Sequence, residues 1–285
     1  MDQEKIAILV DSGTDVPPDF QTAHHIFVAP LKILYKDKEY NDRVDITPQD
    51  VYNRLEEEIP RTSLPDAETV TALFNQMVSE GYKQVLIITI SSGLSGTHNM
   101  LRLLAQEYKK LPYHMVDTKN IGIGAGMQAM LAARLIKKGL GVQEILNKLE
   151  TSIQNTKLYF CLDTLEYLAK GGRIGKVSAI LGSILHLKPI IGCNAEGVYE
   201  TVAKVRGRAQ AIEKTISMIV TQAGQYANFI IAVAHGSAKE EAKHVLSELK
   251  RRLPQCDQFL QSDVSPALSV HTGPGLVGVA LQGLS

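Results

Sequence analysis

Six apolar or β-branched residues in succession, Val85, Leu86, Ile87, Ile88, Thr89 and Ile90, lead without a linker into Ser91, Ser92, Gly93, Leu94, Ser95, Gly96 and Thr97. A run of that kind suits a strand covered on both faces, and such strands belong to parallel sheets flanked by helices. The heptad after it reads as a hydroxyl- and glycine-rich turn opening a helix through Leu104. Serine and threonine are ordinary helix caps, but three serines, a threonine and two glycines in seven residues exceed what one cap requires. Free N–H groups and hydroxyls are therefore expected to converge there on an anion.

Residues 6–10 form a second apolar strand, and Asp11, Ser12, Gly13 and Thr14 follow it much as the heptad follows Ile90. If the two strands are parallel neighbours, both turns lie on one carboxyl edge, where open α/β sheets take their ligands. Residues 25–35 are expected to be extended and 36–41 to be a polar turn. Thr47 before Pro48 opens a helix to about residue 58. Arg61, Thr62, Ser63, Leu64, Pro65 and Asp66 read as a hydroxyl-bearing loop, with Asp66 capping a helix marked by Val70, Leu73, Phe74 and Met77. Residues 113–116 form a strand. The helix beginning Gly122, Ile123, Gly124, Ala125, Gly126 has Met127 where a dinucleotide fingerprint needs glycine, so its small residues read as close packing, the preferred explanation, or as room left for a ligand beside the helix. A helix over 141–154 closes the first half.

Beyond it the strand-helix alternation gives way to shorter strands. Residues 158–162 are apolar, and a short helix over 163–169 is broken by Lys170, Gly171, Gly172 and Arg173, a basic and flexible hinge or, as the alternative, a helix C-cap, whose chemistry glycine after a terminal lysine fits. A helix over 175–184 is expected next. Residues 189–193 and 199–205 then flank Asn194, Ala195, Glu196 and Gly197 as a hairpin. A helix over 208–222, a strand over 229–234 and an amphipathic helix from Ala238 to Leu253 follow. Strand-like segments around Phe259, Val270 and residues 277–281 finish the chain. Two α/β domains are expected, 1–155 and 156–285.

Lys and Arg together number 30, as do Asp and Glu, so no basic field exists to hold nucleic acid. The amino terminus lacks signal-peptide layout and no apolar run reaches membrane-span length. Three cysteines, Cys161, Cys193 and Cys256, have no paired spacing for disulfides or zinc, and a reducing cytoplasm is the expected compartment. His24 and His25 read as loop surface, with no metal-ligating partners at suitable spacing, so no metal and no cofactor is expected. A stand-alone serine hydrolase using Ser95 is the enzymatic alternative, but Gly96 stands one position early for the G-x-S-x-G elbow, and His235 reads as a strand-end residue. What remains is an anion held by hydroxyls beside a large apolar interior. A carboxylate on an apolar tail satisfies both, since burying an acyl chain contributes roughly 0.8 kcal/mol per CH₂.

Taken together, Val10-Asp11-Ser12, R-T-S-L-P at 61–65, S-S-G-L-S-G-T at 91–97, L-E-Y-L-A-K-G-G-R-I at 165–174, L-K-P-I at 187–190 and H-T-G-P-G at 271–275 resemble the DegV family of bacterial fatty-acid-binding proteins over nearly the whole chain. The resemblance implies an α/β domain with a parallel sheet, joined to a second domain with a mainly antiparallel sheet and packed helices. It implies a long-chain fatty acid such as palmitate buried between them. It further implies a non-catalytic subunit that presents the carboxylate to a separate ATP-using fatty acid kinase subunit. Carried over by motif, Thr62 and Ser95 hydrogen-bond the carboxylate, with Ser63 a near alternative and His271 close to the head group. Arg173 falls on the phosphoryl-transfer surface, where a guanidinium could steady phosphate charge.

Overall fold

The computed structural model describes residues 5–180 and 187–284. In chain order its strands are β1 (Ile6–Asp11), β2 (Phe27–Ala29), β3 (Lys32–Leu34), β4 (Glu39–Asn41), β5 (Arg61–Ser63), β6 (Gln84–Thr89), β7 (Tyr113–Asp117), β8 (Thr156–Cys161), β9 (Leu187–Cys193), β10 (Tyr199–Arg206), β11 (Asn228–Gly236), β12 (Gln258–Asp263) and β13 (Leu276–Leu284). Four of them, in the order β2–β1–β6–β7, make an all-parallel sheet. Its central strands β1 and β6 are buried at every position, as strands covered on both faces must be. A second sheet runs β10–β9–β8–β13–β11–β12 and is antiparallel except for the β11–β12 pair. The third, β4–β3–β5, is small and antiparallel.

Helix Gly122–Lys137 lies between the two large sheets and is buried at 12 of its 16 residues. Its apolar side chains share one core with Ile8, Val10 and Ile88 from the parallel sheet and with Leu158, Ile230 and Ala280 from the second. A helix covered on both sides needs small residues where backbones approach. A Cβ at Gly126 would come within 2.4 Å of the Thr14 carbonyl oxygen, and one at Gly124 within 2.5 Å of Asn120 Oδ1. The glycine series thus serves close packing, as the sequence indicated. Helices Ala67–Ser79 and Thr97–Glu107 cover the far face of the parallel sheet through Phe74, Met77 and Leu101. Helices Arg208–Ala223 and Lys239–Arg252 cover the far face of the second sheet through Ile216, Ile219, Val245 and Leu249.

Several local expectations need correction. Residues 39–41 pair as β4 instead of remaining a turn, and the R-T-S segment is β5, with Thr62 opposite Ile33. Asp66 stands at the N-cap of helix Ala67–Ser79 but makes no capping bond; its carboxylate pairs with Lys32 Nζ. The helix begun at Thr47 carries a capping box with Asp50 and ends at Arg54. Val270 belongs to helix Pro266–Thr272, which Ser265 caps by accepting from the Leu268 N–H. Residues Gly175–Ile180 form a 3-10 helix, and the rest of the helix expected to 184 lies outside the described residues.

Candidate functional site

A cavity of about 220 Å³ lies between the carboxyl ends of β1 and β6, the inner face of the second sheet and helix Pro266–Thr272. That is more than ten times the roughly 10–15 Å³ that one water needs. Ile90, Ile123, Phe160, Leu268 and Leu276 give it largely apolar walls, while Thr62, Ser63, Ser95, Arg173 and His271 all reach it. The structure therefore brings together every site residue expected from sequence. Ser63 and Leu64 are exposed, so the polar end opens towards solvent. There the end of β5 meets the 91–97 turn: Leu64 Cδ2 lies 3.7 Å from where a Cβ on Gly96 would stand.

The pairing of Thr62 with Ile33 fixes its place on β5, and its Oγ1 lies 2.7 Å from His271 Nε2. Burial, reinforced by the nearby Arg173 charge, lowers the His271 pKa to about 4, so the ring is neutral at physiological pH. Among the described residues its Nδ1 has no hydrogen-bond partner. A buried N–H without an acceptor is costly, which favours the tautomer with the proton on Nε2. In that form His271 donates to Thr62 Oγ1, and the Thr62 hydroxyl keeps its own proton for a ligand.

The sign of the pH effect on stability follows. Between pH 6.5 and about 4 the unfolded chain binds a proton at this position that the folded chain refuses, so folding weakens as pH falls through that window. At 1.36 kcal/mol per pH unit the full effect is on the order of 3 kcal/mol. An NMR titration of the folded protein is expected to show His271 neutral down to about pH 5.

Ser95 Oγ lies 2.8 Å from Thr97 Oγ1 and accepts the Thr97 N–H at 3.2 Å. The rest of the heptad is not the open anion cradle that its composition suggested. Ser91 Oγ donates to Gly197 O at 2.8 Å, and Ser92 Oγ bonds to Asp117 Oδ2. Backbone N–H groups are also committed: Ser91 to Asn120 O, Ser92 to Asp117 Oδ1, Gly93 to Ser91 Oγ, and Leu94 and Ser95 to Ser91 O. These bonds hold the turn rigid and leave the Ser95 hydroxyl facing the cavity. A hydrolytic Ser95 would need a base, but the His271 in this cavity bonds Thr62 and Ser95 bonds Thr97.

The first strand's turn contributes by tying strand ends together. Asp11 Oδ1 accepts the Gly13 N–H and Oδ2 the Ile90 N–H, at 3.0 and 2.9 Å, while burial pushes its carboxyl up to about 7. Half-buried Arg173 donates from Nη1 to Gly171 O at 2.9 Å, and among the described residues no carboxylate pairs with it. Sequence reasoning missed further lining residues, Asp15 and Tyr199 among them. Asp15 is a non-glycine residue in the left-handed region, φ 51°, which no motif announced; Tyr199 is one position in an ordinary strand.

Fold and site define a class: an α/β protein of stacked sheets enclosing an apolar cavity, with hydroxyls and a neutral imidazole gathered at its open end. Residues 5–283 match the profile of a family described as uncharacterised proteins of the DegV family. A DegV domain-containing protein of Clostridium acetobutylicum is 41% identical over 278 residues, 98% of this chain and 99% of that one. The structure of a DegV family protein from Thermus thermophilus, described by its fatty acid binding, aligns with TM-score 0.93 at 28% identity over 98% of this chain and 100% of that one. A stearic acid-binding protein from Eubacterium ventriosum aligns with TM-score 0.89 at 26% identity, covering 98% of each. This chain belongs to the DegV family.

Proposed function

We propose that this chain binds a long-chain fatty acid such as palmitate, tail inside the cavity and carboxylate at the open end, and presents it to a separate ATP-using kinase subunit. One observation carries the reading: Thr62, Ser95 and His271, distant in sequence, line one cavity whose walls are largely apolar. Thr62 and Ser95 donate to the carboxylate, each bond short and charge-assisted, with the exposed Ser63 at the rim. Burying about ten methylenes contributes about 8 kcal/mol before the costs of association. Residues 1–155 serve as the head-group domain and 156–285 complete the acyl pocket; Thr62 and Ser95 come from the first, Phe160 and His271 from the second.

In the transfer step a carboxylate oxygen forms a bond to the γ-phosphorus of ATP while the bond to the β–γ bridging oxygen breaks, giving acyl phosphate and ADP. The bound acid is then a reactant that the chain positions without reacting itself. Arg173, which among the described residues has no carboxylate to neutralise it, meets the charge of the incoming phosphoryl group.

Mass spectrometry of the denatured protein tests the reading. A stoichiometric fatty acid is expected, and a preparation that is empty and also refuses added acid overturns it. Thr62→Val and Ser95→Ala are each expected to weaken binding roughly 10- to 100-fold, the worth of a hydrogen bond to a charged group. With a fatty acid kinase subunit and ATP, Arg173→Ala is expected to slow formation of hydroxylamine-trapped acyl phosphate while leaving fatty-acid content unchanged.

A further inference from the structure

Tyr199 is a buried phenol on the wall of the cavity. The residue is 5% exposed, its ring stands edge-on to Phe160 with centroids 5.3 Å apart, and it lines the cavity. Among the described residues nothing hydrogen-bonds its hydroxyl. A buried tyrosine hydroxyl normally finds a partner, and each unmet buried polar group calls for an explanation. A cavity wall supplies one, because the missing acceptor can arrive with a ligand.

The strand register shows which end of the cavity the hydroxyl serves. Tyr199 opens β10 opposite Cys193, immediately after the 194–197 turn. That turn is fastened to the loop of Ser95: Ser91 Oγ donates to Gly197 O, and a Cβ on Gly93 would lie 2.9 Å from Glu196 O. On its other side Gly175, two residues from Arg173, comes so close that a Cβ there would lie 2.9 Å from Tyr199 O. Tyr199 is thus bracketed by the two segments that bring Ser95 and Arg173 to the polar end.

We propose that the Tyr199 hydroxyl donates a third hydrogen bond to the carboxylate of the bound acid, beside those of Thr62 and Ser95; the inference rests on the fatty-acid reading above. An ionised carboxylate has about four acceptor positions, so two aliphatic hydroxyls leave room for a phenol. Burial pushes the phenol pKa up, so the group keeps its proton and remains a donor. Hydrogen bonds to an ionised acceptor are about twice as strong as neutral ones. Tyr199 therefore makes the site favour an ionised head over a neutral one of the same chain length.

Tyr199→Phe removes one oxygen and keeps the ring against Phe160. Dissociation constants of the delipidated full chain for palmitate and for hexadecanol, with the melting temperature, test the proposal. The variant is expected to bind palmitate roughly 10- to 100-fold more weakly and hexadecanol less than about 3-fold more weakly, at an unchanged melting temperature. Equal weakening of both ligands, or undiminished palmitate binding, overturns the role of Tyr199 while the fatty-acid reading stands. A wild-type chain that takes up no palmitate overturns that reading, and the inference falls with it.

Discussion

Arg43→Ala is expected to cost about 3–5 kcal/mol of stability, the range for removing one partner of a buried ion pair, and to lower the melting temperature by roughly 5–10 °C for a chain of this size. The Asp15 side chain is 1% exposed, and its Oδ1 lies 2.8 Å from Arg43 Nη2 and accepts the Ser265 N–H at 3.1 Å. Arg43 also donates to Asp263 O at 2.8 Å. The guanidinium thus connects the turn after β1, the segment after β4 and the approach to helix Pro266–Thr272, which carries His271. Both partners hold left-handed backbone, φ 51° and 62°, so packing must secure geometry that non-glycine residues rarely adopt.

The deficit carries its own pH signature. Burial raises the Asp15 pKa in the folded protein, and the Arg43 charge opposes that rise. Without Arg43 the pKa climbs further, so the variant takes up a proton at a higher pH than the wild type does. Its stability relative to the wild type is therefore expected to recover as pH falls from 8 to 5. Chemical denaturation at both pH values checks this; equal deficits would mean that Arg43 acts through packing, not charge.

How much of this was legible in the sequence depended on how far each segment's fate is decided locally. The runs that became β1 and β6 were readable because strands buried on both faces leave little room for polar residues. The 189–205 hairpin and the amphipathic helix Lys239–Arg252 were readable from turn chemistry and periodicity. The three-stranded sheet was not, because each strand has three residues and partial exposure, too short for any period to show. Helix Pro266–Thr272 hid behind Val270, although Ser265 and Pro266 were a valid start signal. At the site, composition located the heptad but could not tell which hydroxyls the turn would spend on itself. Ser91 and Ser92 went to Gly197 and Asp117, pairings separated by 106 and 25 residues. Thr62, His271 and Arg173 were assigned by family resemblance, since no local rule brings residues 62 and 271 together.

Gly171→Ala is expected to damage the site more than its single added methyl suggests. The K-G-G-R element reads as a helix C-cap, yet Gly171 has φ −77°, a conformation open to any residue; the left-handed position is Gly172, φ 70°. What requires glycine at 171 is His271: a Cβ there would stand 2.2 Å from Nδ1 and 3.0 Å from Tyr167 O. The ring must then move by about an ångström, which breaks the 2.7 Å contact between Nε2 and Thr62 Oγ1. Overpacking of this kind costs about 1–3 kcal/mol of stability. Fatty-acid affinity is expected to fall roughly 10- to 100-fold, because Thr62 loses the neighbour that orients its proton. Gly172→Ala is the control: among the described residues nothing lies within 4 Å of its Cβ position, so it costs about 1–2 kcal/mol of left-handed strain and leaves affinity intact. A double-mutant cycle decides the route. If Gly171 acts through the imidazole, Gly171→Ala has no further effect on affinity once His271→Ala has removed the ring. Additive losses would show instead that residue 171 shapes the cavity through the Tyr167 backbone.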